Sequence, residues 1–257
     1  GSTDGTKDII RERIPSFGVA GIDLHLVESQ GSNIAQGRNI GINASKDDII
    51  AVTDAGCRLE PDWYEKITER LRSGEADIVG GFFRPVAEDR VQAVLAGLTT
   101  STNPPPGFVP SSRSIAFHRD IWRKVGGYPE ELRWGEDTLF ANRCIEHGRY
   151  HVASNAIVHW KVRSGFREAG LQFFRYAQGD GEAAAVRNSL VANQALGWTM
   201  LILLVYGRPL SAFVVWVLYV GTLIARKWSN FEHRDTLYAI AMVSVIQAHR
   251  FAGYLIG

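Results

Sequence analysis

Cysteine is scarce in this sequence. Cys57 and Cys144 are the only two, they lie far apart, and they form no metal-ligand pattern with histidine. That scarcity suits a reduced compartment and argues against a disulfide-stapled secreted scaffold. An excess of charge of either sign is missing too: 28 basic and 27 acidic residues leave a formal net charge of +1. Nucleic-acid binders usually carry a strongly basic face, so no nucleic-acid partner is expected. The first residues show no secretory leader pattern of basic start, apolar middle and small cleavage site. Charge itself also runs out along the chain, being frequent up to about Arg187 and rare after it.

What is present divides accordingly. In the first two-thirds, short apolar runs alternate with amphipathic stretches, which points to an α/β layer fold. The pattern predicts strands at 25–28, 48–53, 76–83, 114–118 and 151–159, and helices at 7–13, 33–44, 61–72, 90–98 and 136–147. Pro61 and Asp62 suit a helix start, since proline is tolerated in the first turn and an acid there complements the helix dipole. Residues 103–110 hold four prolines and a glycine, so they form a loop, either a substrate-facing flap or a plain surface loop.

The last third reads differently. Residues 188–207 are an uncharged run of about bilayer-spanning length, Arg208-Pro209 interrupts, and 210–225 is a second apolar run. No polar side chain falls within 213–218, whereas a soluble surface helix needs a polar face. Trp198 and Trp228 near the run ends suit interfacial anchoring; Trp216 lies too deep in its run for that role. Arg226, Lys227 and Arg234 follow the second run while the turn carries only Arg208, which places the large N-terminal part on the cytoplasmic side of the cell membrane. A third stretch, 236–248, is broken by His249-Arg250 and is left open as a span. Two soluble core helices joined by a turn are the alternative to the whole membrane reading.

Several segments carry chemistry. Gly1-Ser2-Thr3-Asp4-Gly5-Thr6 is a glycine-rich turn before a helix, whose free N–H groups suit an anion. Gly37-Arg38-Asn39-Ile40-Gly41 puts a fixed positive charge on a helix, able to pair with a diphosphate or simply to be solvated. The apolar strand ending at Asp54 sets a carboxylate at the strand's C-terminal edge, where open α/β sheets bind ligands. Acids at 136 and 137, after Gly126-Gly127-Tyr128-Pro129-Glu130 and Trp134-Gly135, either cap a helix or remove a proton from a substrate. A strand ends in His159-Trp160, and Gln172-Phe173-Phe174-Arg175-Tyr176 follows on an amphipathic stretch.

Taken in this order, the segments resemble the family 2 glycosyltransferases. Gly1–Thr6 looks like the second half of that family's D-D-G-S-T-D-G-T. Residues 37–41 are similar to A-R-N-x-G, residues 126–137 to G-G-[FY]-x-E … G-E-D, and 172–176 to Q-x-x-R-W with tyrosine in the last place. Asp54-Ala55-Gly56 resembles Asp-x-Asp with its second acid lost.

The resemblance implies a GT-A fold over 1–163, a Rossmann-like mixed sheet with flanking helices. An interfacial segment at 164–187 and transmembrane or membrane-embedded helices at 188–257 follow. It implies inverting transfer from a nucleotide-sugar donor to a saccharide or lipid-linked acceptor at the membrane, with Asp137 as the base and Glu136 supporting it. Asp54 and His159 are the implied ligands of a divalent cation, Mg²⁺ or Mn²⁺. Arg38, Asn39, Ser112, Arg113, Trp134, Gln172, Arg175 and Tyr176 are the implied substrate-binding residues. Few membrane segments favour addition of single sugars over polymer extrusion. The family's first strand and helix are expected ahead of Gly1, so the chain reads as an N-terminally truncated member or as one with an incomplete nucleotide pocket. A catalytically inactive membrane scaffold is therefore the alternative, with a nucleotidyltransferase a more distant one.

Overall fold

Short apolar segments become five strands: β1 (Ile49–Val52), β2 (Cys57–Leu59), β3 (Ile78–Val86), β4 (Ile115–His118) and β5 (Tyr150–Lys161). The computed structural model, which describes residues 2–183 and 188–257, joins them into one sheet of order β1-β4-β3-β5-β2. β3 runs parallel to β5 and antiparallel to β4. β1 and β2 pair antiparallel with β4 and β5 at the two edges, so the sheet is mixed. Period-two alternation sorts β4 between two cores. Ile115 and Phe117 pack with Ile50, Phe140 and Tyr128, while Ala116 packs with Ile67, Leu71 and Val79.

Six helices accompany the sheet: α1 (Thr6–Val19), α2 (Ile34–Ala44), α3 (Trp63–Arg72), α4 (Arg90–Thr99), α5 (Arg119–Lys124) and α6 (Glu136–His147). α2 begins with a full capping box, in which Asn33 and Gln36 each accept from the other's backbone N–H. α6 packs Phe140, Ala141 and Cys144 into the first core, and burial pushes the Cys144 thiol up to about 12. The C-terminal third is helical: α7 (Gly165–Glu182), α8 (Asn188–Val205), α9 (Pro209–Ala225) and α10 (Thr236–Ile256). Its core joins α4, α7, α9 and α10 through Leu95, Ala169, Ile224, Met242 and Ile246.

Four expectations change. The strand expected at 25–28 is unpaired coil, with His25 and Val27 exposed and Glu28 drawn to Lys7 and Arg11 of α1. β2 and α5 were not expected; both are short, and β2 owes its existence to pairing with β5. α1 runs on through Pro15 to Val19. The stretch from 236 does not break at His249-Arg250 but continues to Ile256, with His249 Nδ1 2.9 Å from the Val245 carbonyl. His233–Ile256 is the one segment among the described residues with the length and hydropathy of a membrane span. α8 and α9, which the composition put first, are apolar but shorter. Gly1 and residues 184–187, parts of the expected glycine-rich turn and interfacial segment, lie outside the described residues.

The parallel β3–β5 pair is clamped where it starts. Arg149 donates Nη2 and Nε to the two Asp77 oxygens at 2.9 and 3.0 Å, and its backbone N–H adds a third bond. This fork holds the Asp77 carboxyl down to about 2, below its ordinary 3.8. A carboxyl depressed in the fold contributes stability above its unfolded value and loses it as pH falls through the folded one. Asp77→Asn is therefore expected to lower Tm at neutral pH, with the gap from wild type closing between about 3.8 and about 2. Thermal melts across that range check it; a gap that does not depend on pH would remove the ion pair as its cause.

Candidate active site

Three segments from distant parts of the chain meet at the C-terminal end of β1. Arg38 projects from α2, Asp54 follows β1, and Glu136 opens α6. The Arg38 guanidinium donates Nη2 to Asp54 Oδ1 and Nη1 to Glu136 Oε1, both at 2.6 Å, and lies over the Tyr128 ring at 5.2 Å. Burial works against its charge, but Tyr128, Asp54 and Glu136 outweigh burial and raise its pKa above the ordinary arginine value. Glu136 is buried, and burial followed by repulsion from Asp137 raises its carboxyl above the usual range, with Arg38 opposing.

Asn39, next to Arg38, is the peg that positions the loop ahead of α6. Its Oδ1 accepts from the Tyr128 backbone at 2.9 Å and from Trp122 Nε1 at 3.1 Å. Its Nδ2 donates to the Tyr128 carbonyl at 2.9 Å and to Glu130 Oε1 at 2.8 Å. Gly127 stands at φ 76°, and a Cβ there would lie 2.9 Å from Asn39 Oδ1, so the loop needs glycine for both its turn and its closeness.

Asp137 is the less committed of the two acids. Its Oδ1 accepts from the Thr138 N–H at 2.8 Å, and its Oδ2 lies 3.4 Å from the Ser112 N–H. Ser112 itself is buried, with its hydroxyl 2.9 Å from the Tyr128 hydroxyl, so its backbone rather than its side chain faces the acid.

A second group adjoins the first. Gln172, Arg175, Tyr176 and Gly179 follow helical spacing on one face of α7, turned towards Trp134. The Arg175 guanidinium stacks on the Trp134 ring at 4.8 Å. Tyr176 receives Gln172 Nε2 at 2.7 Å and Arg113 Nη2 at 3.2 Å on its hydroxyl. With Arg163 and Glu168 these side chains line an open cleft of about 220 Å³. Arg113, adjacent to Ser112, is held over Trp160 at 4.4 Å and Phe83 at 5.1 Å. Trp160 and Arg163 were not among the expected site residues; the aromatic after His159 was the available signal.

His159 lies on β5 beside Trp160. It faces Arg58 across the β2–β5 ladder, and its Nε2 lies 3.3 Å from Glu60 Oε1. Among the described residues no group of three or more His, Cys, Asp and Glu side chains could hold a metal ion. The single Asp54 carboxylate does suit a hard cation that takes most of its ligands from phosphate oxygens and water. The end of the proline-rich loop 103–110 is packed onto the sheet, where Tyr150 donates its hydroxyl to the Phe108 carbonyl and Pro110 lies where a Cβ on Gly80 would fall, while Pro105, Pro106 and Gly107 are exposed.

A mixed sheet with an acid after one edge strand and two acids at a helix start fits the GT-A fold. Solved structures agree on the fold. The mannosyltransferase PcManGT of Pyrobaculum calidifontis, in complex with GDP-Man and Mn²⁺, superposes with a TM-score of 0.60 at 16% identity. That likeness covers 99% of this chain and 74% of the other. TarS 1-349 of S. aureus in complex with UDP-GlcNAc gives 0.50 at 15%, covering 97% and 78%. In sequence, glycosyltransferase AglE of Haloferax volcanii is 27% identical over 188 residues, 70% of this chain and 60% of that one. The chain thus spans less than two thirds of that relative. Residues 1–126 match the family model described as glycosyl transferase family 2.

Proposed function

We propose that the chain transfers a sugar, with inversion, from a nucleotide-diphosphate sugar to a saccharide or lipid-linked acceptor at the cytoplasmic face of the cell membrane. The observation that carries this reading is the Arg38 bridge. It fixes the Asp54 carboxylate and the start of α6 in one place, with Asp137 beside them. The match to the glycosyl transferase family 2 model favours an enzyme over an inactive scaffold.

In this reading Asp54 faces the donor diphosphate, and Asp137 faces the acceptor. The acceptor oxygen attacks the anomeric carbon from the side opposite the diphosphate. The bond from that carbon to the diphosphate oxygen breaks, and the hydroxyl proton passes to Asp137. Asp54, with the donor's own oxygens, would hold a divalent cation, which would neutralise charge on the leaving diphosphate. Arg38 acts as the positioning group, since both its forks are occupied by carboxylates. Arg175, Arg113 and Gln172 border the cleft with Trp134 and Tyr176, whose rings suit the apolar face of a sugar and whose cationic neighbours suit phosphate.

Neighbours in complex with GDP-Man and UDP-GlcNAc supply the first donors to try. Incubating the detergent-purified chain with each, Mg²⁺ or Mn²⁺ and a panel of saccharide and polyprenyl-phosphate acceptors is expected to release nucleoside diphosphate. NMR of the product is expected to show the anomeric configuration opposite to the donor's. Retention of configuration would overturn the mechanism, and absence of transfer with every donor would overturn the activity.

A further inference from the structure

α10 has the length and composition of a membrane span, yet its middle packs against the rest of the fold. Between Ala239 and Tyr254 only Ala241 and Ala248 are exposed. Ala239, Met242, Val243 and Ile246 are buried against α4, α7 and α9. Glycines bring α7 and α10 into backbone contact: a Cβ on Gly253 would lie 2.2 Å from the Phe174 carbonyl oxygen, and one on Gly170 would lie 2.7 Å from the His249 ring. The opposite side of α7 bears Gln172, Arg175 and Tyr176, polar groups of the cleft. Between 239 and 254 α10 leaves no large apolar side chain exposed.

The hairpin of α8 and α9 is the reverse case. Its base is docked on α10, with Asn193 Nδ2 donating to Gln247 Oε1 at 2.8 Å and Gly197 set against the Phe251 ring. Beyond that base, ten large apolar side chains between Leu201 and Leu218 are exposed, Val205 and Leu210 at 77% and 75%. Arg208, at the turn, is the one charge in 201–225. Trp198 and Trp228 flank this zone, and Arg226 and Lys227 follow α9. Aromatic residues and cations at the border of an apolar projection match the interface of an anionic bilayer. An exposed apolar surface this extensive marks a contact site on a protein.

We infer that the α8–α9 hairpin, and not α10, is the element that enters the lipid, its occupant being an anionic phospholipid bilayer. This rests on the proposed membrane attachment and says which helices make it. α10 then serves as the platform between the hairpin and the cleft-bearing α7, so the cleft is held at a fixed place relative to the bilayer surface.

Flotation and quenching test this on the full chain. With vesicles of phosphatidylglycerol and phosphatidylcholine, wild type is expected to float, Leu204→Glu/Phe213→Glu to lose most of its vesicle-bound fraction, and Ala248→Glu to keep it. In a Cys57→Ser background, NBD attached to Val205→Cys or Phe213→Cys is expected to be quenched several-fold by acyl-brominated lipid. The same label on Ala241→Cys or Ala248→Cys is expected to be quenched little. Strong quenching on α10, or flotation lost through Ala248→Glu alone, would overturn the inference and leave membrane attachment standing. A folded wild type that does not float would overturn both.

Discussion

Asp137→Asn is expected to lower kcat for sugar transfer by roughly 100- to 10,000-fold, the usual worth of a positioned general base, while leaving donor affinity nearly unchanged. The reason lies in how differently the two neighbouring acids are held. Glu136 is buried and spends Oε1 on Arg38, so it is poorly placed to collect a proton from an acceptor. Asp137 is part-exposed and accepts only backbone N–H groups and the Thr138 hydroxyl, which leaves carboxylate lone pairs for an incoming one. Asparagine keeps the acceptor oxygen for the Thr138 N–H and removes the basicity, so the fold is expected to survive. Initial rates with saturating donor and acceptor, alongside calorimetric titration of the donor, separate the two effects. Turnover equal to wild type would remove Asp137 from the chemistry.

Much of this site was legible as a set of separate points. A local run of apolar residues ending in an acid is enough to place Asp54 after β1, and acids after a glycine are enough to start α6 at Glu136. Helical spacing alone puts Gln172, Arg175 and Tyr176 on one face. What a linear reading cannot give is how such points are wired. Arg38 has its partners 16 and 98 residues away, and sequence spacing holds no trace of either distance. The guanidinium read as a diphosphate ligand is occupied by two carboxylates.

His159 shows the same limit from the other side. Its strand-end position is visible, but which edge it faces depends on β2, a three-residue strand that exists only by pairing with β5. The 25–28 segment fails for the complementary reason: four residues with no neighbour to pair with do not make a strand. In the C-terminal third, hydropathy ranks segments by composition, whereas burial depends on which helix ends up in the middle. Between 239 and 254 α10 exposes no large apolar side chain, whereas α8–α9 exposes ten between Leu201 and Leu218, although all three are apolar.

Arg38→Met carries the second large effect, on stability as well as rate. Removing one member of a buried charge network leaves its partners unpaired in a poorly solvated place, at a cost of roughly 3–5 kcal/mol. The figure belongs near the low end here, because Asp54 is about a third exposed while Glu136 is nearly enclosed. Without the guanidinium, Glu136 and Asp137 also repel each other with nothing between them and Asp54. Activity is expected to fall below detection, since the bridge that sets Asp54 against α6 is gone. The pH dependence identifies the cause. Burial already raises the Glu136 carboxyl, and losing Arg38 removes the group that opposes this. A carboxyl raised in the fold favours the native state below its unfolded value and burdens it as pH rises through the folded one. The stability deficit of Arg38→Met is therefore expected to be largest at neutral pH and to shrink on acidification towards the ordinary carboxylate range. Urea denaturation at several pH values measures it. Adding Glu136→Gln to Arg38→Met is expected to recover stability at neutral pH but no activity, because a neutral amide needs no buried cation and still cannot anchor Asp54. Recovery of turnover in that double variant would show that the bridge matters for the fold alone.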